Sequence, residues 1–289
     1  MSDLDAAYAH CETLVRDMDR DRWLATLFVK PQWRPHVLAL YAFSYEVSRL
    51  REITSEPRIG EIRLQWWREA IEGERQSEAE ANPVSQALLA TVAKFSLPRQ
   101  ALADLVEARR FDLYDDPMPS LNDLEGYCGE TCSSLFRLAS IICADGSDPG
   151  GSEAAGHAGC AYAMAGLLRA LPWHASRGQC YLPADVLSRN GALVEAAAAG
   201  LSSPALAQAL AELRGRVRQH LQAARAGLAA LPADVQSVFA PLALVDLWLN
   251  AMETRSYDPF RTLIDPPQWR RQWALWRWPG PLPSSRLPG

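Results

Sequence analysis

Apolar residues recur at helical spacing through almost the whole of this 289-residue chain, and that periodicity limits its fold more than any other feature. Stripes at i, i+3, i+4 and i+7 need other helices to bury them, and the alternation that marks a half-buried strand is hard to find between turn signals. The chain is therefore expected to be all-α. In His36 to Ile53 the apolar side carries Leu40, Phe43, Val47 and Leu50, with Glu46, Arg49 and Arg51 outside the stripe. Further helices are expected over 3–18, 22–30, 59–72, 84–95, 98–114, 120–143, 204–230 and 232–253, with 73–83 as a charged connection. The stretches on either side of the loop 145–151 have the same character and neither repeats the other. One domain over 1–278 is expected, with a disordered Pro-rich tail at 279–289.

Charge and cysteine usage exclude several classes of function. A net charge of -5 gives no global attraction to nucleic acid or to an anionic membrane, so no nucleic-acid partner is expected. The acidic N-terminus lacks the apolar segment of a secretory signal, which predicts a cytoplasmic protein. The six cysteines contain no Cys-x-x-Cys pair, and this fits buried, reduced thiols; His157 and Cys160 are the one metal-like pair, too little for a site. The most apolar run, Val238 to Met252, is interrupted by Asp246 and Asn250, so no helix is expected to cross a membrane. Near the C-terminus Trp269, Trp273 and Trp276 fall at helical spacing with Arg270, Arg271 and Arg277 close by. Docking of this stripe on the core is expected; an interfacial membrane face is the sharper alternative.

Ala163 to Pro183 is the stretch where chemistry could gather. Its helix should end or kink at 170–172, because Pro172 lacks a donor and biases Leu171 away from helical geometry. Trp173, His174, Ser176, Arg177 and Gln179 then crowd seven positions before Tyr181-Leu182-Pro183. Such a mixture suits an anion or polar ligand, and equally a plain connection with exposed polar side chains.

Several segments, in order and nearly along the full chain, resemble the squalene/phytoene synthase family. They are Arg22-Trp23-Leu24-Ala25-Thr26-Leu27 with Arg34, Leu40-Tyr41-Ala42-Phe43, Arg63-Leu64-Gln65-Trp66-Trp67-Arg68, Leu124-Glu125-Gly126-Tyr127-Cys128, and Arg169 with Arg177-Gly178 and Tyr181-Leu182-Pro183. The resemblance implies a single-domain helical bundle of the isoprenoid-synthase type around a central cavity. It also implies two Asp-x-x-x-Asp pairs on facing helices that hold magnesium against substrate diphosphates, whose departure leaves charge for the metal to neutralise. This chain departs from the pattern there. The first pair falls on Ser48 and Glu52, the second on Ala170 and His174, and the amide-bearing positions one and two turns earlier on Gly166 and Ala163. Magnesium ligands are thus missing, and no cofactor, metal-binding residue or catalytic residue is expected. Asp112, Asp115 and Asp116 could be offered as replacements, but caps and turns explain aspartates at a Pro-terminated helix end.

The segments Arg58 to Arg68 and Arg169 to Arg177 look more like a branch of the family with this same altered pattern, which includes a mitochondrial complex I assembly factor. That likeness implies a non-catalytic role in binding or in assembly of a respiratory complex with a protein partner. The alternatives are an active head-to-head prenyl-diphosphate synthase with a diverged metal site, and a peripheral-membrane protein that binds an isoprenoid or phospholipid. Arg49, Glu52, Arg169, His174, Arg177 and Tyr181, with Arg51, make up the candidate anion or diphosphate pocket, the cationic side chains converging without a metal. The opposing expectation is that Arg49 and Arg51 pair with Glu46, Glu52 or other acids.

Overall fold

No strand occurs among the residues that the computed structural model describes, 2–54 and 56–278; the expected tail at 279–289 lies outside them. Twelve helices of seven residues or more follow one another among those residues. They are α1 (Asp3–Met18), α2 (Arg20–Thr26), α3 (Arg34–Ser48), α4 (Pro57–Glu72), α5 (Pro83–Phe95), α6 (Arg99–Ala108), α7 (Leu121–Cys128), α8 (Ser134–Cys143), α9 (Ser152–Arg169), α10 (Pro204–Leu228), α11 (Leu242–Met252) and α12 (Gln268–Trp276). Local chemistry sets many of the starts. Ser2 and Asp5 form a reciprocal capping box on α1, Ser120 Oγ accepts from the Asp123 amide at 3.2 Å on α7, and Ser203 does the same for Leu206 on α10 at 3.0 Å.

Two groups of helices share one continuous core. In the first, α1 and α5 pack against α3, which is buried on every side from His36 to Ser44 and not only along the stripe read from sequence. In the second, α9 lies along α10 and also touches α8 and α11. Between α7 and α8 the chain makes one π-helical turn, Gly129–Ser133, so the single helix expected over 120–143 continues with its phase shifted. Here α9 comes closest: Ser133 Oγ donates to the Gly156 carbonyl at 2.8 Å, and a Cβ on Gly159 would lie 2.2 Å from the Ser133 amide nitrogen. All six cysteines are free and buried, as expected.

Other expectations need correction. Residues 73–83 are not merely a connection, since Gln76–Ala81 form a short helix. The helix expected over His36 to Ile53 breaks at Arg49 and resumes as one turn, Leu50–Ile53. The expectation that no helix crosses a membrane is not overturned: residues Ala233–Met252 pass by length and composition alone, at a mean hydropathy of 1.3, and 67% of that window is buried within the protein as in a core helix. The sequence of α10 by itself lets Arg214, Arg216, Arg218 and Arg225 be read as a solvated helix face, and the structure corrects that reading. These arginines pair with Glu253, Glu125, Glu253 and Asp246, fastening α10 to its neighbours.

The C-terminal stripe is the largest correction. Helix α12 docks on the body, but through Arg271 and Leu275, with Trp278 just beyond; Trp269, Trp273 and Trp276 point outward and are 64%, 55% and 52% exposed. The anchor is electrostatic as well as apolar: Arg271 Nη1 lies 3.2 Å from the buried Asp21 carboxylate, and the same arginine pairs with Asp265.

Candidate functional site

Three segments converge on the buried carboxylate of Asp112. Helix α6 tightens at its end into a 3-10 turn, Arg109–Leu113, in which residues three apart eclipse, so Arg109 Nη1 reaches Asp112 Oδ2 at 3.0 Å. From α7 the Tyr127 hydroxyl donates to Asp112 Oδ1 at 2.8 Å and accepts from Arg109 Nη1 at 2.7 Å.

The remaining partners arrive through the kink after α9. The helix breaks at Ala170, as the kink expected at 170–172 requires, and one further helical turn follows, Leu171–Ala175, with Pro172 at its start. It ends in a paired closure: the Gln179 amide donates to the His174 carbonyl at 3.0 Å and the Gly178 amide to Ala175 at 3.1 Å. Gly178 sits at φ +71°, which a glycine adopts without strain. This reversal brings Gln179 Nε2 to the Asp112 carbonyl at 3.4 Å and the Tyr181 hydroxyl to Asp112 Oδ1 at 2.8 Å. Burial raises the pKa of both tyrosines, and both therefore act as phenol donors. The His174 ring packs 4.6 Å from that of Tyr181, and its Nδ1 is buried without a partner. Burial, opposed by Asp112 and aided by Arg177, pushes its pKa down to about 4, so the imidazole is neutral near pH 7.

Glu52, His174, Arg177 and Tyr181 line one small cavity together with Arg51, Arg109, Asp112 and Tyr127. Arg49 and Arg169 are not among its lining residues. Arg49 folds back over the Tyr45 ring at 5.2 Å, while Arg169 pairs with Asp21 at 3.1 Å and covers Trp248 at 4.3 Å. The expected convergence of free cations is therefore replaced by pairing. Arg51 meets Asp115 at 3.1 Å, and Arg177 stacks on Trp173 at 4.2 Å while lying 3.7 Å from Glu52.

The cavity measures about 120 Å³. A second one, about 160 Å³, is lined by Arg22, Tyr162, Ala163 and Gly166, and the two share Arg109, Tyr127 and Leu167 as a wall. Each of these two pockets is below the roughly 300 Å³ at which pockets for drug-sized ligands begin.

The donors do not fit the magnesium ions that the resemblance implies. Ser48 Oγ bonds the Tyr45 carbonyl at 2.9 Å, and the break at Arg49 removes the continuous helix that an Asp-x-x-x-Asp pair uses. Glu52 faces Arg177, Ala170 has no donor, and the Asp112 carboxylate is already filled by Tyr127, Tyr181 and Arg109. Among the described residues, no three His, Cys, Asp or Glu side chains gather as a cation site. Asp112 is also what reading the sequence misses: its position suggests a cap or turn residue, and its partners Tyr127 and Tyr181 stand 15 and 69 positions away.

The model of the family described as squalene/phytoene synthase matches residues 15–277. The chain belongs to that family. Among similar members, complex I assembly factor 6 of Rattus norvegicus is 27% identical over 254 residues, which are 88% of this chain and 76% of the relative. A 15-cis-phytoene synthase of Synechococcus elongatus is 23% identical, covering 95% and 93% of the two chains. A crystal structure of a dehydrosqualene synthase with ligand superposes with a TM-score of 0.81 at 18% identity, covering 94% of this chain and 95% of that one, and establishes the isoprenoid-synthase-type fold.

Proposed function

We propose that this squalene/phytoene synthase-family chain has no prenyl-transfer activity and acts as a binding protein in assembly of a respiratory complex. The observation that carries the reading is that the diphosphate end of the cavity is closed by its own charges. Glu52 pairs with Arg177, Arg51 with Asp115, and Asp112 is held by Arg109, Tyr127 and Tyr181. Ionising an allylic diphosphate needs positive charge arranged in advance around the departing oxygens, and paired arginines supply little of it. The likeness to relatives named as complex I assembly factors supports the assembly role.

Incubation with farnesyl or geranylgeranyl diphosphate and magnesium tests the loss of chemistry: no pyrophosphate release is expected, and magnesium-dependent release abolished by Glu52→Ala would restore the synthase reading. Affinity purification under crosslinking tests the assembly role. Recovery of respiratory-complex subunits is the expected result, and their absence from a preparation that contains the assembling complex would overturn it.

A further inference from the structure

The sharpest unexplained feature lies outside the Asp112 site, on the outward face of α12. Trp269, Trp273 and Trp276 follow at i, i+4 and i+7, whereas Arg271 and Leu275 turn the other way into the core. Soluble folds rarely leave three tryptophans of one helix more than half exposed, so a contiguous face of this kind marks a contact with something else. The helix is not loose: Arg271, bound to Asp21 and Asp265, pins it from behind. Beside it runs an open groove of about 690 Å³, floored by Leu24 and Leu27 at the end of α2 and walled by the tryptophans.

Charge identifies the occupant. Arg270 and Arg277 flank the tryptophans, and Arg20 shares with Leu24 and Leu27 one side of α2. Among the described residues none of the three has an ion pair; Arg270 only lies over Trp269, at 5.3 Å. The acids closest in sequence are already matched, Asp21 and Asp265 by Arg271, Asp17 by Arg16 and Asp19 by Arg22. What remains exposed is aromatic and cationic in a protein of net charge -5. Indole, with an apolar body and a polar N–H, suits the boundary between acyl chains and headgroups, and the unpaired arginines beside it complement the anionic phosphates of that boundary. We propose that α12 and the adjoining side of α2 form a docking surface for an anionic lipid bilayer, with Trp269, Trp273 and Trp276 entering the interface and Arg20, Arg270 and Arg277 meeting the phosphates.

Flotation of the full chain with phosphatidylcholine vesicles, alone or mixed with phosphatidylglycerol, tests this surface. The protein is expected to float with the mixed vesicles at low salt and to release at high salt. Flotation should fall at least tenfold in the variant Trp269→Ser/Trp273→Ser/Trp276→Ser and in Arg270→Glu/Arg277→Glu, with melting temperatures unchanged because these side chains lie outside the core. Should the triple variant fold poorly, quenching of the intact protein's fluorescence by brominated lipids in the mixed vesicles provides the second readout, and lack of quenching overturns the idea. It is equally overturned if the intact protein stays off the mixed vesicles, if the tryptophan variant floats undiminished, or if the face proves to mediate self-association that the tryptophan variant abolishes while vesicles bind nothing.

Discussion

Asp112 shows how one buried carboxylate can organise residues from three distant parts of the chain. Its side chain is nearly inaccessible and has Arg109, Tyr127 and Tyr181 as donors. Removing it leaves the Arg109 guanidinium buried without its counter-charge, so Asp112→Ala should cost about 3–5 kcal/mol in urea unfolding. Tyr181→Phe deletes a single hydrogen bond to a charged acceptor and should cost about 1.5–3 kcal/mol. Tyr127→Phe should cost more than Tyr181→Phe, because the Tyr127 hydroxyl also accepts from Arg109. A double-mutant cycle of Tyr127 and Tyr181 that proved strictly additive would contradict a shared hub. His174 adds a pH dependence. Its pKa is about 4 in the fold against an ordinary 6.5, so between those values the unfolded chain takes up a proton that the folded one refuses. Stability is therefore fully present above about pH 7 and is lost as pH falls toward 4; His174 alone should cost about 2 kcal/mol between pH 7 and pH 5. His36, pushed down to about 4 by burial and Lys94, acts in the same direction. Comparing His174→Gln with the parent at both pH values isolates the first share.

Among the elements, the approach of α9 to the π turn is the tightest requirement. A methyl group on Gly159 would meet the backbone and side chain of Ser133 at 2.2 Å, and backbone cannot step aside as a flexible side chain can. Gly159→Ala should destabilise the protein by about 1–3 kcal/mol or more. Gly156, one turn earlier, has nothing within 4 Å of the same position, and Gly156→Ala should be neutral or stabilising by up to about 1 kcal/mol through helix propensity. Equal losses in thermal unfolding would place the tight contact elsewhere. The contrast also shows what sequence can and cannot convey about elements. The start of α1, the stop of α5 before Leu97-Pro98 and the kink at Ala170 carry their signals in caps and prolines. The break at Arg49 has neither glycine nor proline, and helical periodicity runs through it unaltered; the π turn, Gly129-Glu130-Thr131-Cys132-Ser133, carries no cap or proline signal either, because the helix continues on both sides of it. Because the Arg49 break separates Ser48 from Glu52, the site inherited that blindness. Its four retained residues were legible from the family motifs around them, while Asp112 was not, since a buried carboxylate and a turn aspartate look alike until distant tyrosines are placed against them.

At the scale of the whole molecule, the two ends of the chain are joined through Asp21, and this argues against reading α12 as an appendage. Asp21 on α2 receives Arg169 from the end of α9 and Arg271 from α12, at 3.1 and 3.2 Å, with Asp21 and Arg271 side chains only 8% and 11% exposed. Leu275 and Trp278 are buried behind the same helix. Burying an apolar side chain of that size contributes about 1.5–3 kcal/mol. Truncation after Asp265 removes both, together with one of the two partners of a buried carboxylate. The expected loss is about 3–6 kcal/mol, seen as a lower urea midpoint and melting temperature. The serine substitutions at Trp269, Trp273 and Trp276 leave that inner face intact and should stay within about 0.5 kcal/mol of the parent. The pair of measurements separates the two sides of one helix. A truncated chain as stable as the parent would mean that Arg271, Leu275 and Trp278 hold nothing together, whereas a large loss from the tryptophan substitutions alone would mean that the outward face is packed in the folded protein.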